Sequence, residues 1–167
     1  MQLEARIKMR GKIFDGQAPG AVSKSLGRAM NEAVLFLVGK VKEKTPQGVY
    51  GSEAGLYKSI QETVMGKGTP YVKGIVGTAS EYGEVIEKGR RPGKAMPPPD
   101  VLISWIEKKI GVNKKEARRL EFVIRRKIGQ KGFPGVHMFE KTLEENMGAL
   151  ERIFEAAGFT IERELNQ

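Results

Sequence analysis

Several kinds of reactive residue are scarce in this sequence, and each scarcity excludes a class of function. The 167 residues include no cysteine and a single histidine, His137. Without thiols there is neither a disulfide framework nor a thiolate metal site, and one imidazole supplies neither a Ser-His-Asp arrangement of credible spacing nor a histidine-based metal site. His137 follows a glycine-rich stretch and is better explained as a packing or solvated residue. The sequence therefore predicts a protein that is not an enzyme and that uses no cofactor or metal.

Long apolar runs are also missing. The longest candidate, Ala33–Val38, covers six residues, whereas a membrane-spanning helix needs roughly 20. The first residues alternate apolar and charged side chains and lack the uninterrupted apolar core of a signal peptide. We therefore expect no membrane partner and synthesis in a cytoplasm.

Charge is abundant and unevenly distributed. The formal net charge is +9. Residues 89–131 carry 13 Lys or Arg against 4 Asp or Glu, whereas residues 132–167 carry 3 against 7. This polarity suits either contact with nucleic acid or head-to-tail contact between subunits.

The first 48 residues predict a strand and a long helix. From Leu3 to Met9, apolar residues alternate with charged ones, which is the period of a strand with one buried face. From Leu26 to Val41, the apolar residues recur at helical spacing. Ser23 is the expected N-cap, and Pro46 ends the helix because the residue before a proline is pushed out of the α region.

The next part predicts a hairpin. Two β-like runs, Leu56–Met65 and Tyr71–Thr78, are separated by a glycine-containing turn. The segment Tyr82–Glu87 fits either a third strand or a short helix. A basic, proline-rich loop, residues 89–99, then precedes the second half of the chain.

The second half predicts three helices. One starts after Pro99, the next is capped by Asn113, and the last carries an apolar stripe almost to the C-terminus. The first helix is marked by Val101, Leu102, Trp105, Ile106 and Ile110, the second by Ala117, Leu120, Val123, Ile124 and Ile128, and the third by Phe139, Leu143, Met147, Leu150, Ile153, Phe154, Ala157, Ile161 and Leu165. The predicted fold class is α+β, with a small antiparallel sheet packed by a long N-terminal helix and a helical C-terminal half ending in a long helix. We expect one domain over residues 1–167, with sheet and helix in 1–88, a loop in 89–99 and helices in 100–167.

A basic surface is the strongest physical signal. On the helix predicted after Asn113, basic residues lie opposite the apolar positions, with one aromatic residue among them, and the loop at residues 89–99 adds further basic residues. These residues are Arg90, Arg91, Lys94, Lys115, Arg118, Arg119, Phe122, Arg125 and Arg126. Such a face suits sequence-independent contact with phosphates or a neighbouring subunit, and a solvated helix face is the other interpretation. No helix-turn-helix, zinc or RNP signature accompanies it.

Four stretches together resemble the gene-product-ten-like neck and tail-completion family of long-tailed, lambdoid-type phages. Thr45-Pro46 with residues 55–60 is similar to "A-P-x-x-T-G-x-L-x-x-S-I", and residues 76–89 are similar to "Y-A-x-x-V-E-x-G". Residues 97–110 resemble "P-P-x-x-x-L-x-x-W-v-x-x-k", and residues 131–139 resemble "k-G-x-x-g-x-x-f-f". The residues that match are Gly55, Leu56, Ser59, Ile60, Tyr82, Glu87, Gly89 and Trp105.

The resemblance implies a non-enzymatic virion protein, assembled in the host cytoplasm. Its partners would be further copies of itself in a ring, portal-adaptor or head-closure proteins, and tail-tube or terminator proteins. DNA would pass through the ring and touch it without being read. Glu87 would then pair with an arginine of its own or the next subunit, or else lie exposed on a strand edge.

The main alternative is a sequence-independent DNA-binding accessory protein that uses the basic helix at residues 114–127. A small enzyme built on Glu81, Glu84 and Glu87 is a weaker alternative, because no other catalytic group converges on these carboxylates. A related protein of contractile-tailed particles would share the class of function but not the partners.

Overall fold

The computed structural model describes residues 2–6, 20–48, 55–69 and 71–165. The strands are β1 (Gln2–Arg6), β2 (Ile60–Met65), β3 (Lys73–Thr78), β4 (Gly89–Arg90) and β5 (Phe133–Pro134). The helices are α1 (Gly20–Lys44), α2 (Gly55–Ser59), α3 (Glu81–Lys88), α4 (Ile103–Ile110), α5 (Lys114–Lys131) and α6 (Met138–Leu165). This is the α+β fold class that the sequence predicts, with a long helix near each end of the chain.

The described residues group into two compact units that interleave along the sequence. Unit 1 comprises Met1–Lys44, Ile60–Thr78 and Met138–Gln167, and unit 2 comprises Thr45–Ser59 and Ala79–His137. The last helix therefore belongs with the N-terminal sheet and not with the helices that precede it. The expectation of a single folding domain stays a prediction.

Unit 1 is a three-stranded antiparallel sheet packed by α1 and α6. Its strand order is β1-β3-β2, with Leu3 and Glu62 both opposite Val76. The predicted strand and hairpin are thus confirmed, while Ile7–Met9 lies outside the described residues. The second half of the hairpin begins at Lys73, and Ile60, not Leu56, begins its first strand.

The helix α1 supplies most of the core of unit 1. Val22, Met30, Val34 and Val41 are almost completely buried, and their spacings of 8, 4 and 7 residues place them on one face of a helix that lies on a sheet. The predicted N-cap at Ser23 is wrong: α1 starts at Gly20 because Val22 extends the buried stripe by a turn, and Ser23 is itself buried. The predicted end before Pro46 is confirmed.

Unit 2 contains the helical pair α4 and α5 and the small ladder β4–β5. Ile103, Ile106 and Ala117 form its buried cluster, with Leu102, Val112 and Ile124 packed against it. Asn113 caps α5 as expected: its side-chain oxygen accepts from the backbone N–H of Lys115 and Glu116, both at 3.0 Å. The segment left open between strand and helix, Tyr82–Glu87, is the helix α3.

Candidate functional site

The helix α5 buries a different stripe from the predicted one. Ala117 is fully buried and Ile124 packs on the same cluster, but Leu120 and Val123 are exposed, Val123 by 61%. Their place in the core is taken by Glu121, whose carboxylate accepts a hydrogen bond of 3.2 Å from the backbone N–H of Leu102. The buried stripe is therefore rotated toward Glu121, because this carboxylate accepts a hydrogen bond from a backbone N–H at the N-terminal end of α4 that has no partner within the helix.

The opposite face of α5 is basic and holds one exposed aromatic ring. Phe122 is 54% exposed. Its neighbours at i±3 and i±4, which share its side of a helix, are all arginines. These four are Arg118, Arg119, Arg125 and Arg126, and Lys115 lies one further turn toward the N-terminus. We call Lys115, Arg118, Arg119, Phe122 and Arg126, all exposed, the basic face.

The proline-rich loop is tied to the flank of α5. Arg125 Nε donates to Pro97 O at 2.7 Å, and Gly93 N donates to Gly129 O at 2.9 Å. A side chain at Gly129 would lie 3.1 Å from Lys94 O, so glycine lets the loop approach the helix closely. Because Arg125 and Gly129 lie next to the basic face on the helix surface, the loop extends that face toward the C-terminal end of α5.

The loop divides the predicted basic residues into two groups. Arg90 is half-buried and donates to Ala95 O, and Arg125 is half-buried against Pro97. These two guanidinium groups hold the loop. Arg91 and Lys94 belong to the same loop and are exposed to solvent.

The second and fourth family-like stretches meet in unit 2. Val136 N donates to Ile86 O, and His137 N donates to Glu87 O. These two carbonyls lie in the last turn of α3, where no backbone N–H of the same helix can reach them. A side chain at Gly135 would overlap the backbone at Glu87, and Gly89, at a φ of 74°, faces Gly135 equally closely. These glycines therefore permit the backbone contact.

Glu87 is buried and is not on a strand edge. It lies in α3 and is 1% exposed, which rules out the exposed-edge interpretation. An arginine partner for it stays a prediction. Tyr82, from the same stretch, is exposed, as is Trp105, which lies on the outer side of α4 while Ile103 and Ile106 face the core.

The first family-like stretch forms a helix-to-strand junction. Gly55 begins α2 at a φ of 72°, and Ser59 Oγ donates to Leu56 O at 2.8 Å in its last turn. Ile60, the next residue, begins β2 and is buried in the core of unit 1.

The other glutamates of α3 are solvated. Glu81 and Glu84 are exposed, and Lys88 Nζ donates to Glu84 Oε1 at 2.7 Å. This hydrogen bond lowers the pKa of Glu84 and raises that of Lys88. A carboxylate held ionised in this way is a poor general acid. Within the described residues, no group of three or more acidic or histidine side chains is placed to hold a metal ion.

An acidic surface in unit 1 complements the basic face. The sequence showed the acidic charge of this segment but not that Met147 lies among the acidic residues. Met147 was expected to face the core with Phe139 and Leu150, but its side chain is 47% exposed. Along its side of α6 lie Glu140, Glu144, Glu151 and Glu155, all exposed. Their spacing from Met147, −7, −3, +4 and +8, is the signal that could have revealed the surface. We call these five residues the acidic stripe.

Among the described residues, no helix is long and apolar enough to cross a membrane. Comparison of the chain with family models, with curated proteins and with solved structures finds no match.

Proposed function

We propose that this chain is a structural component of a tailed-phage particle, a neck or tail-completion protein that assembles into a homo-oligomeric ring at the head–tail junction. In this role it does no chemistry. It connects portal-adaptor or head-closure proteins to tail-tube or terminator proteins, and DNA passes through the ring. The four family-like stretches described above support this assignment.

The observation that carries the proposal is the pair of oppositely charged surfaces with exposed apolar residues. The basic face lies in unit 2 around Phe122, and the acidic stripe lies in unit 1 around Met147. Complementary charges steer two surfaces together and fix their register, and the exposed apolar side chain within each surface adds apolar area that a partner can bury. A chain with two such surfaces of opposite charge is suited to association with copies of itself.

The test is the mass of the purified protein, measured by light scattering over a wide range of concentration, with and without duplex DNA. We expect a ring-sized mass, or a monomer whose mass rises with concentration, and no requirement for DNA. A chain that stays monomeric throughout that range would contradict the proposal.

A second candidate function is sequence-independent DNA binding by the isolated chain. It is favoured by Phe122 among its four arginines, since a cationic surface with an aromatic ring is suited to nucleic acid. About six phosphate contacts would reduce the affinity roughly 10³-fold between 50 and 200 mM salt. A stable monomer that binds duplex DNA at low salt and releases it at high salt would support this function instead.

A further inference from the structure

The acidic stripe and the basic face have matching layouts. In the stripe, Met147 stands at the centre, with Glu144 and Glu151 one turn to either side. In the basic face, Phe122 stands at the centre, with Arg118 and Arg126 one turn to either side. Each surface is thus an exposed apolar side chain between like charges, and the charges of the two surfaces are opposite.

The acidic stripe is about one helical turn longer than the basic face. At 1.5 Å per residue, the stripe from Glu140 to Glu155 is about 22 Å long, and the basic face from Lys115 to Arg126 is about 16 Å long. The backbone of Arg91 lies beside Gly132 and that of Lys94 beside Gly129, so these two exposed residues of the loop add basic charge beyond the C-terminal end of this face. Two helices that pack side by side could therefore align Glu144 and Glu151 with Arg118 and Arg126.

We propose that the acidic stripe of one copy of this chain docks on the basic face of a second copy. Met147 packs against Phe122, since a thioether beside an aromatic ring is a favourable contact. Glu144 and Glu151 of one copy pair with Arg118 and Arg126 of the other. This inference rests on the proposed assembly and names the surfaces that form it.

Charge and exposure identify the occupant of each surface as a second copy. The stripe is acidic and repels nucleic acid, so DNA cannot be the partner that covers Met147. Both apolar centres are exposed in the single chain. Because the two surfaces are different, the contact is heterologous, which means that unlike faces meet. Every copy offers one surface of each kind, and a suitable rotation per copy closes the assembly into a ring.

The test removes charge from one surface at a time. One variant is Glu144→Gln with Glu151→Gln, and the other is Arg118→Gln with Arg126→Gln. We expect each variant alone to associate at least about tenfold more weakly than the wild-type chain in sedimentation velocity, because paired charges across an interface are lost. An equimolar mixture should form dimers of one copy of each variant and nothing larger, since only one intact pair of surfaces remains.

Two matched controls change the same number of charges elsewhere. Glu43→Gln with Glu81→Gln removes two exposed carboxylates outside the stripe, and Lys58→Gln with Lys109→Gln removes two exposed ammonium groups outside the basic face. Both controls should associate like the wild-type chain. Circular dichroism should show unchanged helix content in all four variants.

The outcomes separate this inference from the proposed function. If the wild-type chain associates and the variants associate equally well, the docking contact is wrong and assembly uses other surfaces. If the arginine variant loses DNA binding while its self-association is unchanged, the basic face is a nucleic-acid surface and the inference is overturned. If the wild-type chain stays monomeric, the proposed function itself fails.

Discussion

A buried hydroxyl on α6 has no hydrogen-bond partner among the described residues. Thr142 is fully buried, and its Oγ1 finds neither donor nor acceptor, although its backbone carbonyl accepts from Asn146 Nδ2 at 2.8 Å. Burying an unpaired hydroxyl costs free energy that a methyl group of the same shape would not. Thr142→Val should therefore raise the free energy of unfolding by about 1 kcal/mol, measured by urea denaturation.

Thr142→Ser is the matched control, because it keeps the hydroxyl and removes a methyl group from a packed site. It should lower the free energy of unfolding by about 1 kcal/mol. A destabilising Thr142→Val would mean that the hydroxyl is satisfied in solution.

Close approach of α1 to the sheet depends on one glycine of β3. A Cβ added to Gly74 would lie 2.5 Å from Met30 Sδ and closer still to Val34 Cγ1. Gly74→Ala should lower the free energy of unfolding by about 1–3 kcal/mol, since the added methyl group overpacks the core. The measurement is again urea denaturation.

Gly39 in α1 provides the comparison, because a Cβ there meets nothing within 4 Å. Gly39→Ala should be stabilising by up to about 1 kcal/mol through helix propensity. Equal effects at both glycines would contradict the close approach of α1 to β3.

The helical periodicity of a segment could be predicted from the sequence more easily than which of its residues are buried. Leu120 and Val123 continue the apolar pattern of α5, yet the helix buries Glu121, because its carboxylate meets an open N–H of another helix. That contact is tertiary, and no local pattern reveals it. Met147 is a similar case: its spacing suits both the core stripe and the glutamates, and only packing decides between them.

At the scale of elements, α4 depends on the carboxylate of Glu121. Leu102 at the start of α4 has no side-chain cap of its own, and its N–H donates to Glu121 Oε1. Glu121→Ala should lower the free energy of unfolding by about 1–3 kcal/mol, because it removes the acceptor from a partly buried donor. Amides at the start of α4 should also exchange faster with solvent.

Glu121→Gln separates the hydrogen bond from the charge, because the amide oxygen still accepts from Leu102. We expect it to lie between the wild-type chain and Glu121→Ala in stability. If both substitutions leave hydrogen exchange in α4 unchanged, Glu121 does not cap this helix.

The existence of most elements could be predicted, since long periodic segments such as α1, α5 and α6 carry their own signal. The Asn113 cap and the hairpin could also be predicted, because turn and cap residues act locally. The segment Tyr82–Glu87 was ambiguous because it is short enough to fit both periods. Its helical state brings Ile86 and Glu87 to backbone donors of residues 136–137, about fifty positions later in the chain.

At the scale of the whole molecule, the compact units do not follow the order of the elements along the chain. The last helix returns to the first sheet, so unit 1 is built from three separated parts of the sequence. Because α6 follows α4 and α5 in the chain, the sequence alone groups it with them, and only the tertiary contacts place it with the first sheet. The polarity of charge, by contrast, was visible from the sequence, and the structure places it on two helix faces.

The proposed head-to-tail docking of these faces is compatible with either a closed or an open assembly. A heterologous contact produces a ring when the rotation per copy closes, and an open filament when it does not. A neck component needs the closed form, since DNA must pass through a bounded channel.

Electron microscopy of the associated fraction, with class averages of single particles, therefore tests the central claim most directly. We expect closed rings of uniform subunit number with a central opening wide enough for duplex DNA. Open filaments, discrete dimers or particles without a central opening would contradict the assignment of this chain to the head–tail junction.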